Sequence, residues 1–307
     1  MISYITVNYN NKQDTLNLIE SIENKNNKNE FEIIVVDNNS TDGSKNIFEE
    51  LENDKIFLNY IYCDNNHGFG KANNIGFKKA KGEYIYIINN DVLLHTNNIE
   101  AIIKEKFKNN IGVITNKVIY EDGSSQTNVQ NFSNLKTVFL RLLKVGQYIR
   151  NNDSLLNFLM WVPIKPDFIR TYLNNFNKEN KEELIQWASG CSLIFKREVY
   201  TNLEGFDENF FMYTEDEEIC YRVHKLGYTI LYTPDILITH FEGNSNSNNR
   251  INEFLTKTKV QSEFYYYEKH FIGKLKKLKT IYWLVSIFGY LFSKRLRIIH
   301  KTIRELK

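Results

Sequence analysis

Two acidic stretches in this sequence have the composition and spacing to do chemistry. In "YIYIINNDV", five apolar or aromatic residues from Tyr84 to Ile88 read as a buried strand that gives way to Asn89, Asn90 and Asp91. A carboxylate at the end of a buried strand is held rigidly, and Asp91 suits a divalent cation bridged to a diphosphate. Asn89, two residues back, points to the same side by strand alternation, where it could supply a neutral oxygen or hold a ligand hydroxyl. The plain alternative is a turn before the next helix. In "YTEDEEICYRV", four acids follow one another from Glu215 to Glu218. Thr214 with Glu217 makes a capping-box pattern, and acids in a first helical turn suit the helix dipole. Four adjacent acids also raise one another's pKa, which suits one of them to act as a general base near neutral pH. Base and cap stand as equal readings. His240 closes the apolar run "DILITH" and joins the other two only if its strand end reaches the same cleft.

The elements that must position these residues follow an alternating order. Strands are expected over 2–7, 31–36, 56–62 and 84–88, with helices over 15–24, 44–51 and 71–80 between them. Such a β-α-β-α-β-α-β run implies a parallel sheet with right-handed crossovers, whose ligands bind beyond the carboxyl ends of the strands. After the four strands come "NYNN", "DNNSTDGS", "DNNHGFG" and "NND". Each piece alone reads as a helix cap or turn; together they outline one nucleotide cleft. "GFGKAN" follows the third strand and lacks a third glycine, which excludes a dinucleotide fingerprint, and no P-loop pattern occurs. Phosphates are then left to a metal held by carboxylates.

Further along, a helix is expected over 99–107, a strand over 111–120 and a turn at "EDGS". The stretch 125–185 fits no assembled pattern and is expected to be a lid or acceptor-side insertion. "WASGCSLIFK" reads as a Gly-containing turn leading into a strand. A helix starting near Thr214, with Ile219, Val223 and Leu226 on one face, should stop at Gly227, and "YTILYT" and "DILITHFE" should be two strands.

The 307 residues, 42% hydrophobic and 14% aromatic, can fill a real core, and no disorder is signalled. Cys63, Cys191 and Cys220 are odd in number and unpaired in spacing, so neither a disulfide framework nor a zinc site is expected, and a reducing cytosol fits best. The opening "MISYITVNYN" reads as a strand and not as a signal peptide. Residues 274–307 hold ten Lys or Arg and one acid, a net +9 that leaves −7 on the rest of a chain totalling +2. Within that tail "IYWLVSIFGYLF", residues 281–292, is too short to span a bilayer. Its basic flanks and aromatic centre suit a helix lying on an anionic membrane. The alternatives are packing on the catalytic part or on a second copy in a homodimer. No nucleic-acid recognition motif accompanies the charge.

Taken together these residues resemble family 2 glycosyltransferases of the GT-A fold, particularly the bacterial branch with rhamnosyltransferases. The resemblance is carried by "ITVNYN", "VVDNNSTDGS", "NNHGFGKANNIGFKKAKGEYIYIINNDV" and "WASGCSLIFKREVYTNLEGFDENFFMYTEDEEICYRVHKLGYTILYTPDILITHFEGNS", covering residues 2 to about 120 and 186–247. It implies an α/β fold with a Rossmann-like, mostly parallel central sheet flanked by helices and a helical C-terminal extension. Residues 1–120 would be the donor half, 121–247 the acceptor and catalytic half, and 248–307 the extension. Asn8 and Asp37 would contact the base and ribose of a UDP- or dTDP-sugar, with Asn39 nearby and Asn66 and Asn73 lining the donor site. Asn89 and Asp91 fall on the family's D-x-D motif, where Asn replaces the first acid and Asp91 is left as ligand to Mn2+ or Mg2+. Asp216 falls on the catalytic base, with Glu215 beside it, and His240 on a histidine that reaches the metal or diphosphate.

The activity so implied is metal-dependent inverting transfer to a glycan or lipid-linked glycan in bacterial surface polysaccharide synthesis, such as capsule or O-antigen. The expected location is the cytoplasm, peripheral on the inner face of the membrane. The competing readings are a nucleotidyltransferase of related fold and an inactive glycosyltransferase-like binding module.

Overall fold

A computed structural model describes residues 1–26, 31–145, 148, 181–241 and 252–306. Most of the insertion expected over 125–185 therefore lies outside the described residues, as do the last residues of the "FEGNS" run. The chain divides into two compact units, one of Met1–Gln130 with Glu179–Asn248, the other of Asn131–Lys178 with Asn249–Lys307.

The first unit begins with the alternating run. Strand β1 (Ile2–Asn8), helix α1 (Lys12–Lys25), β2 (Phe31–Asp37), α2 (Ser44–Asp54), β3 (Leu58–Tyr62), α3 (Phe69–Phe77) and β4 (Tyr84–Ile88) follow in order. They continue into β5 (Val92–Leu94), α4 (Ile99–Lys106), β6 (Ile111–Ile119), β7 (Ser125–Gln126) and β8 (Val129–Gln130). After α5 (Leu135–Leu142), which belongs to the second unit, come β9 (Glu183–Ile185), β10 (Trp187–Ala188), β11 (Ser192–Lys196), α6 (Arg197–Asn202), α7 (Glu215–Lys225) and β12 (Thr229–His240).

The main sheet runs β3-β2-β1-β4-β11-β6-β12-β5, with β7 beside β6 and β9 beside β12. Strands β3, β2, β1 and β4 are mutually parallel, as the crossover helices require. The sheet is nonetheless mixed, because β11 lies antiparallel between β4 and β6, while β6 and β12 are parallel. Continuous apolar runs in β2 and β4 match strands buried on both faces, and every residue of both is buried. Leu18, Ile19 and Ile22 of α1 pack with Ile99 and Ile103 of α4 in the same core cluster.

Two expectations are corrected here. "YTILYT" and "DILITHFE" form one strand, β12, whose register on β6 breaks between Thr233 and Leu237. Pro234 sits at that break; lacking an N–H, it belongs at an irregularity, and its turn-like signature made one strand read as two. Leu226 does not join the apolar face of α7: it follows the last helical residue and is exposed, while Ile219, Cys220 and Val223 are buried.

The described residues of the second unit are mainly helical, with α5, α8 (Glu253–His270), α9 (Ile272–Phe288) and α10 (Lys294–Glu305). Its core includes Val138, Phe264, Tyr282 and Ile299, with the rings of Phe264 and Tyr282 edge to face at 5.2 Å. Buried Glu263 accepts from the Tyr282 hydroxyl at 2.5 Å and pairs with Arg141, which joins three helices through one carboxylate. Among the described residues no helix is long and apolar enough to cross a membrane.

Candidate active site

The floor of the site is made at the ends of β1, β2 and β3. Asn8 is wholly buried; its amide donates to Asp37 Oδ2 at 2.9 Å and to Ser40 Oγ at 3.0 Å, and its carbonyl accepts from Thr15 Oγ1 at 3.0 Å. Asp37, equally buried, accepts from the Ser40 N–H at 2.7 Å and from the Tyr60 hydroxyl at 3.2 Å. The paired strand register, Asn8 against Asp37, places the two side chains together. Asn8, Ser40 and Tyr60 thus all donate to the one buried side chain of Asp37, which satisfies its oxygens within the fold. Burial and the Asp37 charge together push the Tyr60 phenol far above its ordinary range, so it stays a neutral donor. Thr15, Ser40 and Tyr60 lie in a helix, a turn and a strand, and carried no local signal in the sequence.

The rim above this floor is built from asparagines. Asn39 adopts a left-handed backbone, φ 68°, which Asn tolerates better than most residues, and accepts from the Tyr62 hydroxyl at 2.8 Å. Asn66 accepts from the Gly68 N–H at 2.9 Å in a turn closed by its own side chain. Gly68 has φ 77°, and a Cβ there would fall 1.9 Å from the carbonyl oxygen of Phe211, so only glycine lets these two backbones meet. Asn73 is wholly buried: its amide donates to the Phe69 carbonyl at 3.0 Å, and its Oδ1 has no hydrogen-bond partner among the described residues. Its neighbour Asn74 does the stapling. Asn74 Oδ1 accepts from the Phe206 N–H and the Tyr200 hydroxyl, both at 2.9 Å, and its amide donates to the Phe206 carbonyl at 2.8 Å. In an Asn-rich chain the doublet gave no sign of which member did which task.

Asp91 and His240 meet because β5 pairs antiparallel with the end of β12, setting Val92 opposite His240. Asp91 Oδ1 lies 3.2 Å from His240 Nε2, and the Phe241 N–H donates to the Asp91 carbonyl at 3.0 Å. His240 Nδ1 faces Gln126 Oε1 at 3.1 Å. An Nδ1–H donated to Gln126 leaves Nε2 with a lone pair directed at a carboxylate, an arrangement that suits a cation between them. Asn89 Nδ2 stands 3.5 Å from the same Nε2, and the Asn90 amide turns away to donate to Thr15 Oγ1 at 3.0 Å. Among the described residues no three His, Cys, Asp or Glu side chains converge on one point. Two ligands with the remaining positions open is what a divalent cation shared with substrate phosphates needs, so the donor set fits such a cation.

The acid-rich helix reaches the same place through the turn Ser189–Gly190–Cys191. Asp216 Oδ2 accepts from the Gly190 N–H at 3.2 Å and Oδ1 from the Glu217 N–H at 2.9 Å. One residue on, the Cys191 carbonyl accepts from the Asn89 N–H at 3.0 Å. The Cys191 thiol is pushed up to about 12 by burial, and the charges of both Asp91 and Asp216 add to the rise. In the sequence, "SGC" reads only as a turn before a strand.

The capping box expected at Thr214 and Glu217 does not form. Tyr213 and Thr214 both have left-handed backbones, φ 69° and 70°, and the Thr214 side chain makes no cap. A β-branched residue at positive φ is strained, and that twist sets where α7 begins. The acids divide their work instead. Glu218, wholly buried, takes the Arg222 Nε on both oxygens at 2.9 and 2.8 Å, while the remaining nitrogens of Arg222 donate to the Leu203 and Gly205 carbonyls at 2.6 and 2.8 Å. Substituting Arg222→Met should strand a buried carboxylate and lower unfolding stability by about 3–5 kcal/mol in urea titrations.

Glu215 is buried, and its Oε2 has no hydrogen-bond partner among the described residues. Burial first, and then the Asp216 charge, raise its pKa from 4.5 to about 8. A carboxyl whose folded pKa lies above its unfolded value favours the folded state less as pH rises from the unfolded value to the folded one. The melting temperature should therefore decline between about pH 4.5 and 8, and Glu215→Gln should flatten that decline.

The structure thus gathers Asn89, Asp91, His240 and Asp216 around the turn at Gly190, with Asn8 and Asp37 forming the floor at the neighbouring strand ends. Comparisons with known proteins bear on the family and the fold. The chain is 23% identical over 228 residues to the low-salt glycan biosynthesis hexosyltransferase Agl10 of Haloferax volcanii, covering 73% of this chain and 62% of that protein. It is 22% identical over 250 residues to the rhamnosyltransferase WbbL of Escherichia coli K12, covering 70% and 84% of the two chains. Among solved structures it is similar to GalNAc-T7 with UDP, GalNAc and Mn2+ (TM-score 0.62, 15% identity), across 87% of this chain and 47% of that one. It is also similar to the mannosyltransferase PcManGT of Pyrobaculum calidifontis in complex with GDP-Man and Mn2+ (TM-score 0.54, 15% identity, 98% and 73% covered). The fold is accordingly GT-A. The sequence model described as Glycosyl transferase family 2 ends before Asp216 and His240, so those two residues rest on their geometry. Matched from residue 3 to residue 197, over more than half its length, the chain belongs to glycosyl transferase family 2.

Proposed function

We propose that the protein is an inverting glycosyltransferase that moves a sugar from a nucleoside-diphosphate sugar to a hydroxyl of a glycan or lipid-linked glycan. The observation that carries this reading is the turn at Gly190 and Cys191, whose backbone holds Asp216 on one side and Asn89 on the other. A phosphate-side carboxylate and a base-side carboxylate then flank one space, as an in-line displacement requires.

In that space Asp91 and His240 would hold a divalent cation, Mn2+ or Mg2+, which when bound neutralises charge on the diphosphate. The solved neighbours carrying Mn2+ with UDP or GDP-Man support this choice. Asp37 and Asn8 behind it set the shape of the nucleoside end, with Asn39, Asn66 and Asn73 along the same wall. Asp216 takes the proton of the acceptor hydroxyl as its oxygen bonds to the anomeric carbon, and the bond from that carbon to the diphosphate oxygen breaks on the opposite face. The carbon passes through an oxocarbenium-like state and its configuration inverts. The Gly190 N–H and Glu217 N–H on the two oxygens of Asp216 aim the carboxylate rather than protonate it.

On this reading the donor is a UDP- or dTDP-sugar and the role lies in surface polysaccharide assembly; relatives named as a rhamnosyltransferase and a hexosyltransferase of glycan biosynthesis support sugar transfer to a glycan. Attachment to the inner face of the cytoplasmic membrane through the basic C-terminal extension belongs to the same reading. Incubation of the protein with a panel of nucleotide sugars, Mn2+ and glycan acceptors tests it. Release of nucleoside diphosphate together with a lengthened acceptor supports glycosyl transfer. Pyrophosphate released from a nucleoside triphosphate would make the protein a nucleotidyltransferase, and donor binding without turnover on any acceptor would make it a binding module.

A further inference from the structure

The last two helices present two features that the chemistry of transfer leaves unused. Along α9 one stripe, Leu278, Tyr282 and Val285, is buried. The stripe beside it is equally apolar and faces out: Trp283, Leu284, Ile287 and Phe288 are all exposed, and Leu291 and Phe292 in the turn that follows are 77% and 88% exposed. Single exposed apolar side chains are ordinary on a soluble surface, but six within ten positions form a patch that marks a contact with something apolar.

Next to this patch α10 exposes Lys294, Arg297, Lys301 and Arg304. Its Ile298, Ile299 and Ile303 are buried within the unit, so the helix has no apolar face left to insert. A cleft of about 680 Å³ opens along it, lined by Tyr290 from the turn and by Lys294, Arg297, Lys301 and Arg304. Two acids, Glu253 and Glu305, also line it, and each lies within 4.0 Å of a lysine: Lys257 is 3.6 Å from Glu253 and 3.4 Å from Glu305, and Lys301 is 3.9 Å from Glu253. Lys294, Arg297 and Arg304 make no ion pair with any described residue. Tyr290 links the two features: its neighbours Leu291 and Phe292 are exposed, while its ring packs against His300 of α10 at 5.4 Å.

We propose that the α9–α10 turn is a bilayer-insertion wedge and that the cleft beside it is a phosphate site for the headgroup of an anionic phospholipid. This deepens the membrane attachment in the proposed function by naming its two parts. Charge complementarity selects the occupant. Three unpaired cations beside exposed Phe and Leu side chains match a surface that is anionic at headgroup depth and apolar just beneath it. Arg297 and Arg304 present planar forks suited to a phosphodiester, and Phe288, Leu291 and Phe292 are the side chains that would enter the acyl region.

Sedimentation of the full chain with vesicles tests both parts, and because it uses neither donor nor acceptor it is independent of the transfer reaction. Wild-type protein should bind vesicles of phosphatidylcholine with about one third phosphatidylglycerol far better than phosphatidylcholine alone, and binding should weaken with added salt. The triple variant Lys294→Gln, Arg297→Gln, Arg304→Gln should lose about a hundredfold in affinity for anionic vesicles and most of the salt dependence. The triple variant Phe288→Ser, Leu291→Ser, Phe292→Ser should lose at least about tenfold on the same vesicles while keeping its salt dependence. Both sets are exposed side chains, and unchanged circular dichroism with wild-type activity on a water-soluble acceptor would show that folding is intact. Wild-type binding in the charge variant would overturn the phosphate site, and in the apolar variant the wedge. A wild-type protein that ignores vesicles but self-associates, with the serine variant monomeric, would make the patch a contact between copies and overturn both.

Discussion

Replacing Asp216 with Asn is expected to lower kcat by about 10²–10⁴-fold while leaving donor affinity close to wild type. The substitution keeps the shape of the side chain, and an Asn oxygen can still accept from the Gly190 N–H, so the turn at Gly190 stays in place. What is lost is the ability to take a proton. A residue that only caps α7 would give a different signature, with lowered unfolding stability and little change in kcat. Steady-state kinetics beside calorimetric binding of a non-hydrolysable donor separates the two. Full activity in the variant would remove Asp216 from the base role and shift attention to Glu215, whose raised pKa would then need a catalytic explanation.

The second large effect is expected at Asp91. Asp91→Asn preserves size and lets an amide donate to His240 Nε2, 3.2 Å away in the wild type, so the β5–β12 pairing should survive. The cation loses its charged ligand, and donor affinity measured with Mn2+ present should fall by about a hundredfold or more. Binding measured with the metal chelated should be weak and equal in the two proteins. A variant that still binds donor more tightly when Mn2+ is added would place the metal elsewhere.

How much of this was legible in the sequence can be followed residue by residue. The strand Tyr84–Ile88 ends where its apolar run ends, because burial on both faces leaves an unmistakable signature. Asn89 and Asp91 follow from that end alone. The partnership of Asp91 with His240 did not, since it depends on β12 returning beside β5, a pairing between residues about 150 positions apart that no local pattern encodes. The same holds for Gln126 behind His240 and for Arg222, which crosses from α7 to the carbonyls of Leu203 and Gly205. The capping box at Thr214 failed for the opposite reason: its local pattern was right, but close approach between Gly68 and Phe211 and the left-handed twist at Tyr213 fix the chain before the helix can choose its own cap. Asn73 and Asn74 show a third limit. Two identical neighbours in an Asn-rich chain took separate tasks, and only the fold distinguishes the one that staples Phe206 from the one whose buried oxygen is left open.

In the proposed mechanism Asp91 and Asp216 face one reaction centre from opposite sides of a sugar. A crystal structure of the Asp216→Asn variant with an intact nucleotide sugar and Mn2+ tests it most directly. The diphosphate should lie against Asp91 and His240 through the metal, with the anomeric carbon between it and residue 216. A diphosphate bound away from Asp91, or a sugar whose anomeric carbon turns from residue 216, would contradict the account.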